Sequence, residues 1–198
     1  MTEGFFALEE KYRNLGISLA GADEVGRGPL AGPVVAGAII MRNDFFVPGI
    51  DDSKKLTEKK REALYDTIME NALSFGIGVV GPEVIDEIGI LNATRRAFEE
   101  AISKLKGPYV LYTDYITGLS KDIEYTPIVK GDASVYTIAA ASIMAKVYRD
   151  RLMAEYDEIY PGYDFKKHKG YGTKAHYEAI REHGLSPIHR RSFLKVIH

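Results

Sequence analysis

Apolar and polar residues alternate with two different periods along this chain. Residues 17–23 and 34–41 are short apolar runs of strand character, and the brief glycine-rich stretch between them predicts antiparallel neighbours. Residues 5–14 carry the period of a short amphipathic helix, stopped by Gly16. Thr57 is placed to cap a helix whose apolar stripe joins Leu64, Ile68 and Ala72 to Tyr65, Met69 and Leu73. A third strand follows at 74–80, then a helical stretch over 82–105 interrupted near Gly89. A compact strand at 109–113 ends at Asp114, and a fifth strand is predicted at 124–129. The longest helix is predicted over 134–160; between 135 and 148 Lys146 is its only charge, so most of its circumference must be buried. A last helix at 174–183 is closed by Gly184. Strands grouped early and then alternating with helices give an α/β class: a mixed five-stranded sheet with an antiparallel hairpin on one side, flanking helices and a helical C-terminal segment.

Length and composition narrow this further. With 198 residues and 45% apolar content, the chain can bury roughly two-thirds of its unfolded surface, which predicts a single domain over 1–198. It has no run of 18 apolar residues and its start lacks a basic leader with a small-residue cleavage site, so a soluble, cytoplasmic protein without membrane attachment is expected. Cysteine is absent, which excludes disulfides and thiolate metal sites. The net charge of −2 conceals an asymmetry: from Tyr163 onward there are eight Lys/Arg against three Asp/Glu, and the rest of the chain is acidic. A basic segment facing an acidic body can orient a polyanion.

The candidate chemistry lies in the acids. Asp23 and Glu24 close the first strand and run into Gly26-Arg27-Gly28, where bare backbone can approach a ligand closely. Neighbouring strand residues point to opposite faces, so Asp23 and Glu24 can share a site only if the strand ends or twists there. Asp114 follows the fourth strand and Asp132 follows the fifth, framed by Gly131 and opening the long helix. Each acid thus stands at the exit of an element, where ligand crevices form in parallel α/β sheets. Four convergent carboxylates would raise one another's pKa, a cost that divalent cations remove. Oxygen-only donors suit Mg²⁺ or Mn²⁺, and two such ions about 4 Å apart can activate a water and stabilise the leaving oxygen of a phosphodiester. The competing role for these aspartates is the capping of turns and helices.

Six segments in one order resemble the type 2 ribonuclease H family, the bacterial ribonucleases HII. They are Gly21-Ala22-Asp23-Glu24-Val25-Gly26-Arg27-Gly28-Pro29 continuing to 35, Asp52-Ser53-Lys54-Lys55-Leu56, Lys130-Gly131-Asp132, residues 138–150, His168-Lys169-Gly170-Tyr171-Gly172-Thr173, and His189-Arg190-Arg191-Ser192-Phe193. The resemblance implies a ribonuclease H-like fold and an endonuclease that cuts RNA/DNA hybrids and nicks 5′ of ribonucleotides embedded in duplex DNA, leaving 3′-hydroxyl and 5′-phosphate ends. It implies a monomer using two Mg²⁺ or Mn²⁺ ions held by Asp23, Glu24, Asp114 and Asp132. Asp23 and Asp114, helped by Glu24, would bridge the ion that activates water, and Asp132 would serve the other. At Asp114 the chain departs from the family, which commonly has glycine next where Tyr115 stands here. By the same resemblance Gly26, Arg27 and Gly28 present backbone to the ribose 2′-hydroxyl, the group that separates RNA from DNA. Tyr171 would stack on the adjacent deoxynucleotide sugar. Lys54, Lys146, Lys169 and Arg190 are candidate phosphate contacts.

Other signals are weaker. Gly21 to Gly28 mimics half of a phosphate-binding P-loop, but Arg27-Gly28 replaces the required Lys-Ser/Thr pair. All five histidines lie between His168 and His198, yet His176 and His183 are two helical turns apart, roughly 10 Å, and cannot share an ion. A type 3 ribonuclease H would share the acids but carry an N-terminal domain of its own and another residue between the glycines. A non-catalytic hybrid-binding module would use the same groove without chemistry.

Overall fold

A computed structural model describes residues 4–42 and 44–194; Lys195 and His198, at the end of the basic segment, lie outside the described residues. In chain order the elements are α1 (Ala7–Asn14), β1 (Leu19–Val25), β2 (Val34–Met41), α2 (Glu58–Glu70), β3 (Ala72–Val80), α3 (Pro82–Ile88) and α4 (Ile90–Ser103). Then come β4 (Val110–Asp114), β5 (Thr126–Ile128), α5 (Gly131–Ser134), α6 (Tyr136–Ile159), α7 (Phe165–His168), α8 (Lys174–His183) and a 3-10 turn over Arg191–Phe193. The strands form one mixed sheet in the order β3-β2-β1-β4-β5. As the short connection predicts, β1 pairs antiparallel with β2; β2 also pairs antiparallel with β3, across a connection that contains α2, while β4 joins β1, and β5 joins β4, in parallel.

Alternation in β2 distributes the core between two layers. Val34, Ala36, Ala38 and Ile40 pack on one face with Ala93, Ala97, Phe98 and Ala101 of α4. Ile39 and Met41 face Ile68 of α2 and Ala140, Ile143 and Met144 of α6. Both faces are therefore covered, which is why β2 is buried along its whole length. Helix α6 lies directly against the sheet: a Cβ at Gly21 would stand 2.5 Å from the Thr137 carbonyl carbon, and one at Gly37 2.9 Å from the Ala141 oxygen. That close approach carries Ser142 and Lys146 of α6 to the carboxyl end of β1. The C-terminal segment adds a smaller core in which Phe165, Ile180 and Ile188 gather around Leu30, Ala31 and Met153.

Three boundaries differ from expectation. Helix α2 ends at Glu70, and Ala72 and Leu73, predicted in its stripe, already belong to β3, where Ala72 pairs with Met41 across an irregularity in the ladder. The fifth strand is confined to three residues, because Pro127 cannot donate to a ladder and suits only an edge. The long helix does not begin at 134: Val135 is extended and separates the one-turn α5, which holds Asp132, from α6. Its N-terminus is capped from a distance, since the buried Glu9 carboxylate accepts from the Thr137 N–H (2.8 Å) and hydroxyl (2.9 Å).

Candidate metal centre and nucleic-acid cleft

The β1–β4 ladder ends at the pair Ala22 and Thr113, while β1 runs on beside β2 to Val25. Beyond that point the strands offer their next residues, Asp23 and Asp114, to the opening between them. The oxygens of Asp23, Glu24 and Asp114 lie within 4.8 Å of one another, so the adjacent pair shares a site although β1 does not end between them. Asp23 is buried, and its Oδ1 accepts from the Glu24 N–H at 2.7 Å. Burial, followed by the charges of Glu24 and Asp114, pushes its carboxyl well above the ordinary range, against a Ser142 hydroxyl bond that lowers it. Burial also raises Glu24, opposed by the Arg27 guanidinium at 3.3 Å. Asp114 is raised by burial as well, against a 2.8 Å bond from the Gly131 N–H, and the Asp132 charge adds to the rise.

These carboxyls resist ionising together. Among the described residues the buried Glu24 Oε2 has no hydrogen-bond partner. An unpaired buried oxygen among three mutually repelling carboxylates, with neither sulfur nor nitrogen among the donors, fits a hard divalent cation. Asp132 is buried next to the group but is not one of the three that converge; its Oδ2 accepts from Lys54 Nζ at 2.7 Å. That pair raises the Lys54 pKa and sets a cation beside the acids. Lys54 is held there because the Ser53 hydroxyl meets that of Ser142 at 2.9 Å and Arg61 of α2 binds the Ser53 carbonyl at 2.9 Å.

A cleft of about 120 Å³ runs from Asp23 and Glu24 past Lys54 and Lys146 to Tyr171. Tyr171 is exposed, and the open side of Gly28 faces it: a Cβ at Gly28 would stand 3.7 Å from Tyr171 Cε1. Lys146 lines the cleft while paired to Asp150 at 2.5 Å. Lys169, in a left-handed turn, is paired to Glu58 at 3.0 Å. Arg190 is not on the surface that a phosphate contact requires. It is fully buried, and its three nitrogens donate to the carbonyls of Gly32 (2.9 Å), Arg27 (3.0 Å) and Gly26 (2.6 Å). Arg149 is its counterpart, also buried, donating to the carbonyls of Pro33 (2.9 Å), Lys169 (3.0 Å) and Ala31 (3.2 Å). Sequence reading gave Arg149 no role; the signal available was an arginine three residues after Lys146, at the end of the charge-poor half of the helix.

Three histidines meet across the chain rather than along one helix. His176 Nδ1 faces the Tyr171 carbonyl at 2.9 Å, so that nitrogen carries the proton and Nε2 is left to accept from His189 Nε2 at 3.0 Å. His189 Nδ1 then accepts from the Ser186 N–H at 2.9 Å, and His168 stacks on His176 with ring centroids 4.4 Å apart. Burial, then the neighbouring His176, pushes His189 down to about 4 from the ordinary 6.5. A depressed imidazole pKa gives stability that is complete above the unfolded value and lost as pH falls through the folded one. The melting temperature is therefore expected to fall between pH 6.5 and about 4, and more gently in His189→Gln; identical pH profiles for the two proteins would contradict this.

Known proteins bear on this arrangement. The family model described as Ribonuclease HII matches residues 20–196. The chain is 54% identical to a Clostridioides difficile ribonuclease HII over 189 residues, covering 95% of this chain and 74% of that protein. The chain belongs to the ribonuclease HII family. A ribonuclease HII from Acholeplasma laidlawii is 52% identical over 198 residues, 99% of this chain and 97% of its own. The fold likewise resembles the crystal structure of ribonuclease H2 from Pyrococcus horikoshii, with a TM-score of 0.74, 27% identity, and coverage of 89% of this chain and 93% of that one. As a ribonuclease HII it is a type 2 ribonuclease H, an endonuclease with the mixed five-stranded ribonuclease H-like sheet expected from its pattern. The type 3 and non-catalytic alternatives give way to this assignment. Ribonucleases HII are metal-dependent, and the Asp23, Glu24 and Asp114 group could bind an ion. Among the described residues no helix is long and apolar enough to cross a membrane.

Proposed function

We propose that this chain acts as a single catalytic domain and a monomer that cuts the RNA strand of RNA/DNA hybrids and nicks duplex DNA on the 5′ side of embedded ribonucleotides. The products are 3′-hydroxyl and 5′-phosphate ends. The observation that carries the reading is the convergence of three carboxylates within 4.8 Å at one end of a cleft that runs on to Tyr171, onto which Gly28 opens.

In this reading Asp23, Glu24 and Asp114 would hold one Mg²⁺ or Mn²⁺, and Asp132 would serve a second. When bound, such ions supply activation of the attacking water and neutralisation of the departing 3′ oxygen. The remaining work belongs to the protein. Asp114 is aimed by the Gly131 N–H, and Asp23 by the Glu24 N–H. Lys54 keeps Asp132 balanced and, being exposed, reaches toward a phosphate; Lys146 does the same from the cleft wall. Lys169, engaged with Glu58, guides the strand at the cleft's edge. The backbone of Gly26, Arg27 and Gly28 reads the 2′-hydroxyl, and the exposed Tyr171 ring packs on the following sugar.

A labelled duplex containing one ribonucleotide tests this. In Mg²⁺ a single nick is expected 5′ of the ribonucleotide, with a ligatable 3′-hydroxyl end, and chelator is expected to abolish it. Cleavage at another position, or cleavage that persists in chelator, would overturn the proposal.

A further inference from the structure

Two buried guanidiniums lie under the glycine loop, and among the described residues neither meets a carboxylate at ion-pair distance. Asp150, the acid next to Arg149, is taken by Lys146 and Arg61. Asp86, the acid nearest Arg190, accepts instead from the Arg191 and Ser192 N–H groups at 2.8 and 2.9 Å. A buried charge without a counterion is costly, so its hydrogen bonds must carry the compensation. Here all six are to backbone carbonyls, and five of these belong to the single stretch from Gly26 to Pro33.

The direction of those bonds has a geometric consequence. In a trans peptide the C=O of one residue and the N–H of the next point opposite ways. Arg190 draws the Gly26 and Arg27 carbonyls inward, so the N–H groups of Arg27 and Gly28 turn outward. Neither N–H has an acceptor within the described protein, and the open side of Gly28 looks onto Tyr171 in the cleft. Two consecutive, parallel, unspent donors form a small cradle for an oxygen-rich ligand.

We propose that Arg190, seconded by Arg149, is a positioning residue for ribonucleotide selectivity: it never touches nucleic acid, but fixes the peptide planes so that the Arg27 and Gly28 N–H groups face the substrate's ribose. This rests on the reading of the loop as the ribose sensor. It replaces the role of phosphate contact expected for Arg190 from sequence.

The two roles predict different binding. In an Asp23→Asn background, which suppresses cutting, the affinity for a duplex with one ribonucleotide is compared with that for the all-DNA duplex of the same sequence. Arg190→Lys keeps the charge but loses the fork that holds two carbonyls at once. It is expected to lower the ribonucleotide preference about tenfold, the worth of one or two hydrogen bonds, with all-DNA binding unchanged. Equal weakening of both duplexes would mark a phosphate contact and overturn the proposal, as would an unchanged preference. Should Arg190→Lys fail to fold, hydrogen exchange in the unsubstituted protein decides. The Arg190 guanidinium hydrogens are expected to stay protected, and their NMR signals unshifted, on addition of all-DNA duplex; exposure or a large shift would contradict positioning. Failure of the underlying reading looks different: the parent itself would show no preference for the ribonucleotide duplex.

Discussion

Asp23→Asn is expected to lower metal-dependent cleavage about a hundredfold or more, a barrier increase of roughly 2.7 kcal/mol, while making the metal-free protein more heat-stable. Both effects follow from one arrangement. Asp23 is buried against Glu24 and Asp114, and its carboxyl is pushed well above the ordinary range first by burial and then by those charges. A raised acid pKa means that the folded state holds its proton more tightly than the unfolded chain. The associated stability is present at low pH and is lost as pH rises through the folded value, so above the ordinary carboxylate range the buried, crowded Asp23 carboxyl is a burden. Asparagine keeps the shape and removes that burden, but it also removes the charge that a cation needs. Mg²⁺ should accordingly raise the melting temperature of the parent and do much less for the variant. Steady-state cleavage of a hybrid and thermal melts with and without Mg²⁺ measure both. Activity within about tenfold of the parent would remove Asp23 from the centre.

The two glycines flanking Arg27 should behave differently when a single methyl is added. Gly26 has φ +92, and a Cβ there would stand 2.3 Å from Arg149 Nε and 2.7 Å from the Pro33 carbonyl oxygen. Gly26→Ala therefore combines left-handed strain with an overlap against the arginine clamp. A loss of about 2 kcal/mol or more is expected, or roughly 5 °C in melting temperature, together with loss of cleavage. At Gly28 a Cβ would meet only Tyr171 Cε1, at an ordinary 3.7 Å. Gly28→Ala should melt near the parent yet fail selectively at single ribonucleotides, since the methyl fills the space between the loop and Tyr171. Equal melting temperatures for Gly26→Ala and the parent, or unchanged single-ribonucleotide kinetics for Gly28→Ala, would contradict the role given to each position.

Much of this is legible in the sequence alone. Apolar periods located every strand and long helix, because each buries a face whose spacing the chain must repeat. The acids could be placed at strand exits from the same pattern, and the motif order pointed to the family. What escaped was tertiary. The start of α6 depends on Glu9, 128 residues away in sequence. The sharing of one site by Asp23 and Glu24 depends on where the β1–β4 ladder stops, which no local pattern records. Arg190 looked like a surface cation because its motif is basic, and only the fold reveals that loop carbonyls consume its donors. Helix spacing separates His176 from His183 and is silent on His168, His176 and His189, which meet through the packing of three separate segments.

The central claim is that acids distant in sequence hold hard dications at one end of the sheet, beside a loop of outward-facing backbone donors. Anomalous diffraction from crystals soaked in Mn²⁺ tests it most directly. A manganese peak bonded by oxygens of Asp23 and Asp114, with Glu24 at or next to the ion, is expected, as is loss of that peak in Asp23→Asn. A manganese ion bound elsewhere with these three carboxylates empty, or a peak undiminished in the variant, would contradict it.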